Sequence, residues 1–307
     1  MSKKNDAERM RELEERVREL EAEVSARESD LSVFRQQLLH ANQSLEALIE
    51  KLSADLRTAT RIQKTLVPTE FPNIPGFEFS TKFVASPISG GDYFDVFEHD
   101  DRMKFGLVMA SANGYGLSAL LLSVLLRMTG QDEARRGLPP NRVIQYLAEE
   151  LEPSLGEGPR GPDQASLIYG IIDRRTMELS FSAMGPVYGG LYRPTTGKMD
   201  RIQSEDSPIE KGSYTKLPKL QHLQLEAKDR LVLVSPGAVM VQNAADEKFG
   251  EERLMRAILT APKDSVHDWR NEILFRIEQF AGERDIPRDV TVMVLEVKDR
   301  VIRLAPR

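Results

Sequence analysis

Cysteine is absent from all 307 residues. Disulfides, zinc–thiolate sites, iron–sulfur clusters and thiol catalysis are therefore excluded. Glycine and proline are missing from residues 1–66, while all 20 glycines and all 17 prolines lie beyond. There is a single tryptophan. No run of apolar residues is long enough to span a bilayer: the longest, Leu117 to Leu126, is interrupted by serines and stopped by Arg127. The opening MSKKNDAERM has no apolar segment behind its charges and does not read as a secretory signal. A basic excess is lacking too, since 42 Lys and Arg face 48 Asp and Glu for a net charge of -6, which argues against nucleic acid as a partner. The expectation is a cytoplasmic protein with no membrane insertion. With 40% hydrophobic and 29% charged residues, the chain is globular in composition and of a length for about two domains.

The glycine- and proline-free segment carries a heptad pattern. With Met10 at position a, the a positions are Met10, Val17, Val24, Leu31, Leu38, Leu45, Leu52, Ala59 and Leu66. The d positions are Leu13, Leu20, Arg27, Phe34, Ala41, Leu48, Asp55 and Ile62. Fifteen of these seventeen are apolar, and the 3–4 spacing never slips. Such a seam predicts a coiled coil, here a rod of roughly 85 Å. A long helix packed along its own globular domain is the other reading, but a compact domain is too short to cover the seam. Valine at a with leucine at d favours a parallel two-stranded coil. The partner is then a second copy, with Val17, Leu20, Val24, Leu31, Phe34, Leu38, Leu45, Leu48, Leu52 and Ile62 forming the dimer seam. Arg9 and Glu14, and Arg16 and Glu21, occupy g and following e positions, where opposite charges attract across strands. Arg27 and Asp55 cost stability on the seam and can instead fix register. The expected organisation is a coiled coil over 1–66, a proline-containing linker over 67–76, one domain over 77–297 and a basic tail over 298–307.

The domain reads as strands interleaved with two helical pairs. Strands are predicted over Phe77–Val84, Tyr93–Glu98, Lys104–Ala110, Ala165–Asp173, Glu178–Met184, Tyr188–Arg193, Leu220–Leu225, Leu231–Ser235 and Val290–Val297. Helices are predicted over Leu117–Glu133, Arg142–Leu151, Glu251–Thr260 and Val266–Ala281. Strand clusters separated by helix pairs argue for an α+β fold with antiparallel sheets rather than a doubly wound parallel sheet.

Five ordered motifs then carry a resemblance. They are Ile62-Gln63 and Leu66-Val67-Pro68 with Gly90-Gly91-Asp92-Tyr93-Phe94-Asp95; Gly114-Tyr115-Gly116; Leu231 to Gly237; Phe249-Gly250-Glu251-Glu252-Arg253-Leu254; and Arg288-Asp289-Val290-Thr291. Together they resemble the SpoIIE/RsbU-type phosphatases, bacterial metal-dependent Ser/Thr phosphatases of the PPM class. Each motif alone is weak; the ordered set, spanning residues 62 to 297, is specific. The resemblance implies an α-β-β-α sandwich of two antiparallel sheets flanked by helix pairs. It also implies two Mg²⁺ or Mn²⁺ ions that activate a water against a phosphoserine or phosphothreonine, and such cations need carboxylate oxygens.

Carried over position by position, the family's ligands are mostly gone. The G-G-D aspartate is retained as Asp92. The aspartate of D-x-x-G-H-G falls on Ser111, that of T-D-G on Pro236, and the first of D-D-x-T on Arg288. The histidine of G-H-G is Tyr115, and the family's A-G-H turn reads Met184-Gly185-Pro186. Losing three anions, one of them to a cation, should abolish the two-metal site, so no metal, no cofactor and no catalytic residue are expected. Asp92 is expected to pair with Arg288 in the vacated pocket. Two alternatives stay open: a single displaced metal on Asp92, Asp95 and Asp289, and a plain loop carboxylate at Asp92. A one-residue slip of the motif, letting Asp289 act as ligand, still leaves Ser111 and Pro236.

Other chemistries find no support. His40, His99, His222 and His267 are isolated, one in the coil and the others expected to be exposed. No phosphate-binding glycine loop or G-x-S-x-G turn occurs. Three functions remain in play. The first is an inactive, dimeric pseudophosphatase that binds a regulatory protein, such as a phosphorylated one, in partner-switching or phospho-signalling. The second is an atypical, weakly active Mn²⁺- or Mg²⁺-dependent Ser/Thr phosphatase. The third is a structural coiled-coil assembly protein.

Overall fold

The computed structural model describes residues 2–66, 71–86, 91–113, 137–158, 161–212 and 217–298. By contacts the chain divides into two units, Met1–Arg57 and Thr58–Arg307. The first is made by α1 (Ser2–Leu66), one uninterrupted helix of 65 residues. Nothing in its sequence breaks a helix, because glycine and proline are absent. Its seam lies bare: Val17, Leu20, Val24, Leu31, Phe34, Leu38, Leu45 and Leu48 are each between 45% and 66% exposed. A row of eight large apolar side chains in water is unfavourable at roughly 25 cal/mol per Å² of apolar surface left uncovered. Leu52 and Ile62 lie on the helix, but their side chains fall outside the described residues.

The second unit is a two-sheet sandwich. Its strands are β1 (Phe77–Val84), β2 (Asp92–Glu98), β3 (Lys104–Asn113), β4 (Glu157–Gly158), β5 (Gly161–Pro162), β6 (Gln164–Asp173), β7 (Glu178–Met184), β8 (Tyr188–Arg193), β9 (Lys198–Arg201), β10 (Gln221–Gln224), β11 (Arg230–Val234) and β12 (Val290–Val297). One sheet runs β1-β12-β11-β8-β9 and the other β10-β7-β6-β3-β2, every neighbour antiparallel. The remaining helices are α2 (Pro140–Leu151), α3 (Gly237–Met240), α4 (Gly250–Thr260) and α5 (Val266–Ala281). The expected α+β sandwich of two antiparallel sheets is what forms. The short β4, β5 and β9 and the single turn α3 carry too little periodicity to be read from sequence. The predicted helix Leu117–Glu133 and the Gly114-Tyr115-Gly116 turn lie outside the described residues.

Both faces of the central strands are buried, which explains near-continuous apolar runs such as Val290–Val297 and Leu231–Val234. Between the sheets Phe77, Phe94, Phe105, Ile172, Phe181, Leu233 and Leu295 form one core. α2 covers the outer face of the second sheet with Val143, Ile144, Leu147 and Leu151. α4 and α5 cover the first sheet around Trp269, which is fully buried and donates its indole N–H to the Ile258 carbonyl at 2.8 Å. The tryptophan joins α4 to α5, leaving the sheet ends to meet at one edge of the sandwich.

Candidate functional site

That edge gathers the start of β2, the end of β3, the start of β6, the end of β11 and the start of β12. Antiparallel register places Asp92 directly opposite Ser111, and Ser111 directly opposite Ser166. Cross-strand partners stand close enough for side chains to touch. The Ser111 hydroxyl accordingly donates to Asp92 Oδ1 at 2.6 Å. From the other sheet the Thr291 hydroxyl donates to Asp92 Oδ2 at 2.8 Å. Asp92 thus spans the two sheets at 2% exposure.

A second carboxylate stands beside it. Asp289, 1% exposed, precedes β12 and faces the chain entering β2. Its Oδ1 accepts the Ser86 N–H at 2.8 Å, and its Oδ2 accepts those of Gly91 at 2.9 Å and Asp92 at 3.3 Å. It acts as a staple, holding the segments on either side of residues 87–90 to the β12 strand. Ser235 adds a further tie, accepting the Thr291 N–H at 2.9 Å while its own N–H donates to the Thr291 carbonyl at 3.0 Å. Gly237 is required here by close approach: a Cβ would lie 1.9 Å from the Asp289 carbonyl oxygen and 3.3 Å from Arg288 Cβ.

Burial pushes the Asp92 carboxyl up, the negative charge of Asp289 pushes it further, and hydroxyls of Ser111, Ser235 and Thr291 hold it back, leaving it at about 7. The folded protein therefore keeps this proton up to about pH 7, whereas an unfolded chain releases it near 3.8. The stability that follows is complete below the lower value and is lost as pH rises through the upper one. Asp92→Asn cannot ionise. Relative to the unchanged protein, its melting temperature is expected to rise between about pH 4 and about pH 7 and to level off above. A difference that stays flat over that range would mean that Asp92 is ionised throughout.

Next to Asp92 is a small, half-open pocket lined by Ser111, Ser166, Pro186, Val187, Val234 and Pro236, among others, with room for about one water. The degenerate positions Ser111 and Pro236 are both in its wall. Arg288 is half-buried beside Asp289. The structure thus brings Asp92 and Ser111 together and sets Asp289 against them. The hydroxyls of Ser111 and Thr291 donate to Asp92, and the negative charge of Asp289 acts on it. Asp95 belongs elsewhere: its oxygens accept the Tyr93 hydroxyl at 3.2 Å and the Val96 N–H at 2.8 Å. A metal on Asp92, Asp95 and Asp289 together finds no support, since no group of three His, Cys, Asp or Glu suited to a metal occurs among the described residues. His99 corrects an expectation. It is buried at 4% exposure, its Nε2 2.9 Å from the Tyr169 hydroxyl and its ring stacked on Phe97. His222 and His267 are exposed.

A Mg²⁺ or Mn²⁺ pair would need several oxygen ligands with free lone pairs. Here the pocket wall supplies two serine hydroxyls and two prolines, and the oxygens of both nearby carboxylates already accept hydrogen bonds. Among the described residues, this donor set does not fit a two-metal centre.

The sandwich is of the PPM phosphatase class. The structure of the PP2C phosphatase domain and a regulatory fragment of SpoIIE from Bacillus subtilis matches with a TM-score of 0.59 at 16% identity, covering 72% of this chain and 62% of that one. The SiaA-PP2C domain of Pseudomonas aeruginosa matches with a TM-score of 0.62 at 16% identity, covering 81% of this chain and 98% of the other. In sequence, residues 101–298 match the family of stage II sporulation protein E (SpoIIE), which is more than half of the chain. The chain belongs to that family. Phosphoserine phosphatase RsbU of Bacillus subtilis is 21% identical over 111 residues, 36% of this chain and 32% of RsbU. This chain therefore spans about a third of the length of the curated relative it matches. Among the described residues no helix is long and apolar enough to cross a membrane.

Proposed function

We propose that this chain is a pseudophosphatase: a SpoIIE-family domain that no longer hydrolyses phosphate esters and instead binds a regulatory protein, carried as a parallel dimer on α1. The observation that supports it is the pocket beside Asp92, whose wall holds Ser111 and Pro236 and no carboxylate. Two-metal catalysis requires the ions both to generate hydroxide and to clamp the phosphoryl oxygens. An Asp92 whose two oxygens accept from the Ser111 and Thr291 hydroxyls, in a pocket whose wall holds no other carboxylate, does neither. What it can do is keep two sheets joined, preserving the shape of a phosphatase surface. A phosphorylated regulator of the kind recognised by active relatives is the proposed ligand, to be shielded or competed for rather than dephosphorylated.

The purified chain with millimolar Mn²⁺ is expected to show no turnover of a phosphoserine peptide above buffer, and no heat of Mn²⁺ binding by calorimetry. Restoring Ser111→Asp, Pro236→Asp and Arg288→Asp together is expected to create Mn²⁺ binding, because it returns three carboxylates around Asp92. An Mn²⁺-dependent rate in the unchanged chain that disappears in Asp92→Ala would establish the weakly active enzyme instead.

A further inference from the structure

Charge on the first half of α1 specifies how two copies meet. Resting on the dimer reading above, we propose that Arg27 forms an ionic layer inside the coil that locks the pair parallel and in register. Arg27 occupies a d position, in line with the bare apolar seam. Its guanidinium turns aside to Glu23, one turn earlier at g, with Nη2 2.7 Å from Oε1. Glu28 follows Arg27 at e. In a parallel in-register coil each g side chain faces the partner's e five residues further on. Arg9 then meets Glu14 of the second copy, Arg16 meets Glu21, and Asp30 meets Arg35, all attractive. The one like-charged pair is Glu23 against Glu28. That pair brackets the one cation on the seam.

The coincidence is selective. In register, two arginines lie among four glutamates, so each guanidinium can share its own Glu23 and the second copy's Glu28. Slipped by one heptad, one copy's Arg27 packs against Phe34 and the other's against Leu20; Glu23 then meets Arg35 on one flank, but on the other Glu23 faces Glu21 and Asp30 faces Glu28, both like-charged. Reversed, g faces g and e faces e, and Arg27 meets the apolar C-terminal half without Glu28. A polar group on a coiled-coil seam commonly selects register in this way, at a cost in stability. By heptad position Asp55 is the second such group, four heptads on, and it too meets its own copy only in register.

A chain without cysteine makes the test direct. Full-length Val24→Cys and Leu31→Cys chains, distinguished by tags, are mixed and oxidised, while light scattering follows the mass of unoxidised protein. Same-position residues on the seam lie within disulfide reach only in register. The expected result is a dimer mass with 24–24 and 31–31 disulfides and a 24–31 product at background. Adding Arg27→Leu is expected to raise the 24–31 product severalfold, and Arg27→Lys is expected not to. A 24–31 product as abundant as 24–24 in the presence of Arg27 overturns the register lock. So does a dimer that forms no disulfide at either position, which indicates the reversed pairing. A monomer mass overturns the dimer reading itself, and the inference with it.

Discussion

Asp289→Ala is expected to lower the melting temperature of the domain by about 10 °C, corresponding to a loss of about 4 kcal/mol. The carboxylate is 1% exposed and accepts the N–H groups of Ser86, Gly91 and Asp92. Alanine strands these donors at a buried edge, and each unsatisfied donor costs about 1–3 kcal/mol. Part of the loss is offset, because removing the Asp289 charge relieves the neighbouring Asp92 carboxyl. Asp289→Asn keeps an acceptor for Gly91 and Asp92 but presents its amide to Ser86, so its midpoint should fall between the two. Thermal unfolding followed by circular dichroism measures all three. A drop below about 3 °C for alanine would mean that the segments around residues 87–90 are not held by this carboxylate.

The second large effect is on mass. Leu45→Lys with Leu48→Lys places two ammonium groups in adjacent layers of the seam, where they would be buried against their own copies. Both leucines are more than half exposed on the isolated helix, so nothing in the single chain depends on them. The doubly substituted chain is expected to run at half the mass of the parent in light scattering, with the melting transition of the sandwich unchanged. A mass that stays at the dimer value would place the interface outside α1. A loss of the sandwich transition would mean that the helix supports the domain rather than a partner.

The helices and long strands were legible because their signals are local. The heptads of residues 10–66 and the apolar runs of β11 and β12 repeat over enough residues to stand above composition. The positions that correspond to the family's carboxylates were legible because the motifs keep their order, so Ser111, Pro236 and Arg288 could be located by counting from Gly114, Gly237 and Asp289. The ties that hold Asp92 were less so. Ser235 and Thr291 are common residues in apolar strands, and nothing in their spacing marks them as its partners. His99 was expected to be exposed. Only the pairing of β3 with β6 brings Tyr169 to its ring and buries it.

The sequence by itself determined the long helix and the antiparallel α+β architecture, and it placed Ser111, Pro236 and Arg288 in their motifs, because periodicity and residue identity are local properties. Tertiary structure decided how the remaining carboxylate is compensated. Register set Ser111 across from Asp92, and the facing sheet supplied Thr291. Register is fixed by the burial of most side chains along β2 and β3, since a one-residue slip would turn each to the other face. The position of one hydroxyl in the pocket is thus settled by two whole strands, which no local pattern records.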